Sequence, residues 1–209
     1  MSALHQVKSK EENETENQPS TLHGRAMDNL EFIRDTMQSS TEFTAVPGYG
    51  GVWMGVTAIL AAVIANMQPT KELWFFMWII EAFVAVSVGF LLMWIKSKNV
   101  ETSLTSRPAK KFALGFSPSI IAAIILTSLF VFKGFIDFLP SVWLTLYGTA
   151  VVSGGAYSVR VVRIKGWIFI VLGAVSVFVP AIYGNWLMGL GFGILNVIFG
   201  LIIAKKHGG

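Results

Sequence analysis

Hydrophobic positions gather into six long runs with short polar breaks between them, while polar residues dominate the first 46 positions. The clearest run is Leu73–Ile95, LWFFMWIIEAFVAVSVGFLLMWI, 23 residues interrupted by one carboxylate, Glu81. At about 1.5 Å of rise per residue, a helix of this length crosses a hydrocarbon layer of about 30 Å. Trp74, Phe75 and Trp78 stand at one end and Trp94 at the other, with Lys96 and Lys98 following. Aromatic and basic flanks of this kind anchor a span at both interfaces.

The other runs predict spans at Gly51–Met67, at Phe112 or Pro118 to Phe132, at Pro140–Tyr157, at Gly166–Tyr183 and at Trp186–Ala204. Ser117-Pro118 reads as a cap and first-turn pair, which leaves the start of the third span open between two positions. Pro47-Gly48 suits a tight turn ahead of the first span. The connection Gln68–Glu72 is short enough to make the first two spans antiparallel neighbours. Gly184-Asn185 reads as a brief connection.

Before the spans the pattern changes. Ala26, Leu30, Ile33 and Met37 recur at i, i+4, i+7 and i+11, opposite Asp28, Glu31, Arg34 and Asp35. This is one apolar stripe on a short helix over 25–38. It is either an interfacial or partner-binding helix, or a juxtamembrane helix resting on the cytoplasmic loops of the bundle. Residues 1–24 offer nothing able to build a core and are expected to be a disordered polar tail. They lack the apolar centre of a signal peptide, and Met27 is an alternative start. The expected organisation is a tail over 1–24, a cytoplasmic amphipathic helix and linker over 25–46, and a membrane domain over 47–209.

Composition agrees with the pattern. Hydrophobic residues make up 54% of the chain and charged ones 13%, with a mean hydropathy of +0.63, outside the range of soluble domains. The net charge of +4 would suggest nucleic acid as a partner, but its carriers sit in loops. Five Lys/Arg follow the second span (Lys96, Lys98, Arg107, Lys110, Lys111), three the fourth (Arg160, Arg163, Lys165) and two the sixth. Lys71 and Lys133 are single residues after the first and third, and the connection after the fifth has none. The positive-inside rule then puts both termini in the cytoplasm, in a cell (inner) membrane. No cysteine is present, which excludes disulfides, thiol nucleophiles, iron–sulfur clusters and covalent haem.

AVPGYGGVWMGVTA (45–58), LPSVWLTLYGTAVVSGGAYSVR (139–160) and GFGILNVIFGLIIAKKHGG (191–209) resemble a family of small bacterial multi-span membrane proteins. The resemblance covers roughly 25–209. It implies a six-span fold and, since that family has no assigned activity, carries over no functional residue. Its members tend to lie beside small winged-helix regulators, which implies a signalling context.

Little in the spans offers chemistry. Gly189-Leu-Gly191-Phe-Gly193 follows no strand and lies inside an apolar run, so it is not read as a phosphate loop. Gly189, Gly193, Asn196, Gly200 and Ala204 share a helix face, as do Gly51 and Gly55 with Ala58, Ala62 and Ala65, and such faces allow close helix contact. Thr145, Thr149 and Ser153 form a polar face of the fourth span. Ser153 as a nucleophile would need a base, yet His5, His23 and His207 all lie in the tails. The same absence argues against haem and histidine-bound metal, so no catalytic residue, metal or cofactor is expected.

Glu81 is the exception. An intramembrane carboxylate is costly when charged and is a functional candidate by default. It shares a face with Ala85 and Gly89, and its candidate partners are Asn196, Asn66, Thr57 and Thr149. It is either a proton- or cation-responsive group or a neutral acid tying two helices together. The sequence thus predicts an all-α membrane protein, a six-helix bundle with an N-terminal amphipathic helix. The expected role is non-enzymatic, through a membrane or cytoplasmic protein partner or as a sensor or regulatory component. The alternative is a small secondary transporter or channel subunit working through Glu81.

Overall fold

A backbone N–H or C=O that enters hydrocarbon must find a partner, and a helix supplies one within its own segment. The computed structural model follows that rule and describes residues 24–31, 33, 47–99 and 106–207. The segment through Thr41 and the chain from Glu42 onward are separate units. In the first unit, residues 24–31 and 33 are helical, and Met27, Leu30 and Ile33 are exposed. Gly24, assigned to the tail by composition, is already in the helix. The tail before it, the rest of the stripe through Met37 and the linker to Val46 lie outside the described residues.

The second unit is an all-α bundle. Its helices are α1 (Gly48–Asn66), α2 (Lys71–Asn99), α3 (Arg107–Phe132), α4 (Leu139–Gly155), α5 (Arg160–Phe178), α6 (Gly184–Met188) and α7 (Asn196–His207). A 3-10 turn, Ile136–Phe138, leads into α4, and another, Ala181–Tyr183, into α6. A π-helical segment, Gly189–Leu195, joins α6 to α7, so that Ala181–Lys206 forms the sixth membrane-crossing segment. Among the described residues, six segments are long and apolar enough to span a bilayer, and the chain is a multi-pass membrane protein.

Several boundaries differ from the sequence reading, for local reasons. Gly48 starts α1 rather than closing a turn, with Pro47 as its extended N-cap. α3 starts at Arg107, not at Phe112 or Pro118. Ser106 accepts a hydrogen bond from the Ala109 N–H, and Pro108 sits in the first turn where its missing N–H costs nothing. Pro118 is carried inside the helix. Arg160, Arg163 and Lys165, read as loop, form the first turns of α5, and Lys96 and Lys98 continue α2. Helices can run past the hydrocarbon because their internal hydrogen bonds persist beyond the apolar stretch. α3 ends in a Schellman arrangement, with Phe135 N–H on the Phe130 carbonyl (2.7 Å) and Gly134 N–H on that of Val131 (3.1 Å). Gly134 has φ +76°, a conformation in which a Cβ is strained.

Small residues decide which helices meet. α1 lies between α2 and the sixth segment, and α4 between α3 and α5. Along the antiparallel seam of α1 and the sixth segment, a Cβ added to Gly55 would lie 2.6 Å from the Gly193 carbonyl oxygen. One on Gly51 would lie 3.2 Å from Gly200 Cα, and one on Gly48 would collide with the backbone of Ala204. Gly189 faces Ala62. In the α4–α5 seam a Cβ on Gly148 would lie 2.8 Å from the Gly166 carbonyl oxygen, and Gly173 abuts Thr145. Between the seams Leu144, Phe169 and Met188 are wholly buried. Tyr147, Phe169 and Phe192 form an edge-packed aromatic cluster with centroids 4.8–5.3 Å apart.

Candidate functional site

Among the described residues, the buried polar side chains of Glu81, Lys165, Asn185 and Asn196 each make a hydrogen bond to a neighbouring segment. Glu81, 7% exposed, faces α1, where Thr57 Oγ1 donates to its Oε1 at 2.8 Å. Thr57 Oγ1 also lies 3.0 Å from the Met54 carbonyl oxygen. A hydroxyl has one proton, so Thr57 Oγ1 serves Glu81 Oε1 and the carbonyl of its own helix one at a time. Of the four candidate partners, the structure brings Thr57 to Glu81 and places the other three elsewhere. Thr149 Oγ1 bonds the Leu146 carbonyl of its own helix at 2.8 Å. Asn66 is exposed at the end of α1. Asn196 is buried against α5.

Asn196 accepts from Lys165 Nζ at 3.0 Å. Its side-chain amide donates to the Phe192 carbonyl at 2.8 Å, and its backbone N–H bonds that of Gly193. One residue thus closes the exit of the π segment and holds a lysine. Lys165 is 9% exposed, although a lysine in a short basic stretch reads as solvated loop. No pattern in the sequence separates it from Arg160 and Arg163; only the rotation of α5 turns it inward. Of the fourth span's polar residues, Thr145 Oγ1 packs on Gly173 of α5, and the Ser153 backbone carbonyl lies beside Gly115 of α3.

The most connected polar residue is Asn185, which sequence pattern assigned to a brief connection. Its Oδ1 accepts from Trp74 Nε1 at 2.9 Å and from Trp78 Nε1 at 3.0 Å. Its Nδ2 donates to the Ala62 carbonyl at 2.9 Å. One amide joins α1, α2 and the sixth segment. The available signal was the spacing of Trp74 and Trp78, which at i and i+4 present two indole N–H groups on one face needing an acceptor. Trp74 also stacks on Trp143 at 6.0 Å and 7°, which brings α4 to the same place.

Beside this amide the connections after the first, third and fifth spans border a half-open cavity of about 440 Å³. Asn185 and Trp74 line its depth, and Lys71 and Asp137, which form an ion pair, line its rim. Glu81 is not among its lining residues. Among the described residues no three His, Cys, Asp or Glu side chains come together as a metal site would require. Comparison with protein-family models, curated proteins and solved structures gives no match, so the chemistry of these residues alone carries the functional reading.

Proposed function

We propose that the chain is a non-enzymatic multi-pass protein of a cell (inner) membrane that works as a sensor or regulatory component through protein partners. Both termini lie in the cytoplasm in this reading, because the Lys/Arg-rich connections flank the even-numbered spans. The carrying observation is that polar side chains within the bundle hold helices to one another. Glu81 is held by Thr57, Lys165 by Asn196, and both indoles of α2 by Asn185. A carrier needs intramembrane groups facing a route for solute or ion. Here the mouth cavity is lined by Asn185 rather than by Glu81.

A second reading, a small proton- or cation-linked transporter, is favoured by Glu81 alone, a carboxylate inside an apolar span. Glu81→Gln separates the two, since an amide keeps a donor and an acceptor but cannot release a proton. Proton flux into proteoliposomes is expected to be equal for wild type and Glu81→Gln at matched folded content. A flux present in wild type and lost in the variant would replace the sensor reading with transport. The orientation is checked with a cytoplasm-active reporter, expected to work when fused after Lys98 or Lys165 and to be silent after Thr70 or Gly134.

A further inference from the structure

We propose that the mouth cavity binds a small zwitterion, its anionic group on Lys71 and its cationic group on Asp137, as the stimulus of the sensor reading on which this inference rests. The cavity is assembled from three connections distant in sequence, those after the first, third and fifth spans. About 440 Å³ is within the range of small-molecule sites, which pair apolar walls with a few placed polar groups. Ile136 and Ile182 supply apolar wall, and Asn185 and Trp74 a polar floor. That floor is held in place by three hydrogen bonds to α1 and α2, so a ligand need not order it.

Charge selects the ligand class. The described connections at this end carry two cations, Lys71 and Lys133, and two carboxylates, Glu72 and Asp137. Their formal charges sum to zero. Lys71 and Asp137 meet at the rim with side chains 63% and 46% exposed. An ion pair so exposed is stabilised little, since water screens it and two flexible side chains must be ordered. A molecule carrying both charges a few ångströms apart exchanges this one pair for two and leaves neither residue unpaired. A molecule with one charge makes one of these contacts and gains nothing from the other residue. The shared chemistry belongs to free α-amino acids and to the ethanolamine-phosphate headgroup of a lipid.

Isothermal titration of the full-length protein in detergent tests this with L-leucine and glycerophosphoethanolamine as probes, and with isovalerate and isopentylamine as single-charge controls. Saturable binding of a zwitterion without binding of the controls is expected, weakened about tenfold or more in Lys71→Met and in Asp137→Asn. Both positions are exposed, and circular dichroism of each variant verifies that it is folded. L-leucine binding identifies a free solute as the source. Binding of glycerophosphoethanolamine alone identifies a lipid headgroup. No binding of either zwitterion, equal binding of a control, or wild-type affinity in either variant overturns the proposal. Such a failure removes the ligand only, whereas Glu81-dependent flux would remove the sensor reading itself.

Discussion

α1 is held on its two sides by different means. Toward the sixth segment it presents Gly48, Gly51 and Gly55, and backbone meets backbone. Toward α2 it presents Met54 and Thr57, and the contact is made by side chains: Met54 against Gly89, Thr57 to Glu81. Asn185 adds a third tie by reaching from the sixth segment to the Ala62 carbonyl and both indoles. Lipid tails are as apolar as leucine, so helices in a bilayer associate through close packing and hydrogen bonds rather than water exclusion. The comparison separates those two sources of attraction on a single helix. The glycine side leaves little or no room for an added atom. The polar side accepts exchange of like for like and suffers from deletion.

The largest effect is expected from Gly55→Ala. Its Cβ would meet the Gly193 carbonyl at 2.6 Å and the Val197 backbone nitrogen at 2.8 Å, neither of which can turn away. The helices must separate, at a cost of about 3 kcal/mol. Unfolding in mixed micelles followed by circular dichroism measures it, and a loss below about 1 kcal/mol would mean that the seam can relax.

Asn185→Ala comes next. It leaves two indole N–H groups and one carbonyl without the partner described above, and about 2 kcal/mol is the expected loss. Asn185→Asp keeps the acceptor for the indoles while removing the donor to Ala62. If the alanine variant were as stable as wild type, the amide would be a bystander to packing.

Glu81→Ala should cost about 1–2 kcal/mol, from one hydrogen bond and the volume of the side chain. Glu81→Gln, which retains both, should unfold like wild type within about 0.5 kcal/mol. A glutamine variant as damaged as the alanine one would show that the acid, not the tie, is what the fold uses.

Gly89→Ala should be the mildest, within about 0.5 kcal/mol. Its Cβ would come 3.0 Å from Met54 Sδ, near the end of an unbranched side chain that can rotate aside. The same chemical change at Gly55 and Gly89 therefore compares the two sides of α1 directly. Equal losses at the two positions would abolish the distinction between them.

Much of the architecture was legible in the sequence. Six apolar runs became six crossing segments because a chain in hydrocarbon can satisfy its backbone locally only as a helix. Helix ends were less legible. α3 could be read as starting at Phe112 or Pro118 because the cap at Ser106 lies outside the apolar run. The basic stretch Arg160–Lys165 looked like loop for the same reason: hydropathy reports what is in lipid, not what is helical. At the sites, Glu81 was legible as an intramembrane acid, but four partners fitted it equally well on paper. Asn185, which ties together more segments than any other polar residue described, was hidden in what looked like a turn.

By itself the sequence determined which stretches become spans, since length, hydropathy and backbone satisfaction are properties of each stretch alone. It also marked where helices can approach, because a glycine lacks a Cβ wherever the helix happens to point. Tertiary structure alone decided the rotation of each helix about its axis, and with it every polar pairing. Thr57 rather than Asn196 meets Glu81, Lys165 turns inward while Arg163 does not, and two tryptophans four residues apart find one amide 107 and 111 residues away. Rotation is a compromise among all the neighbours of a helix, and neighbours are not contained in the stretch that forms it.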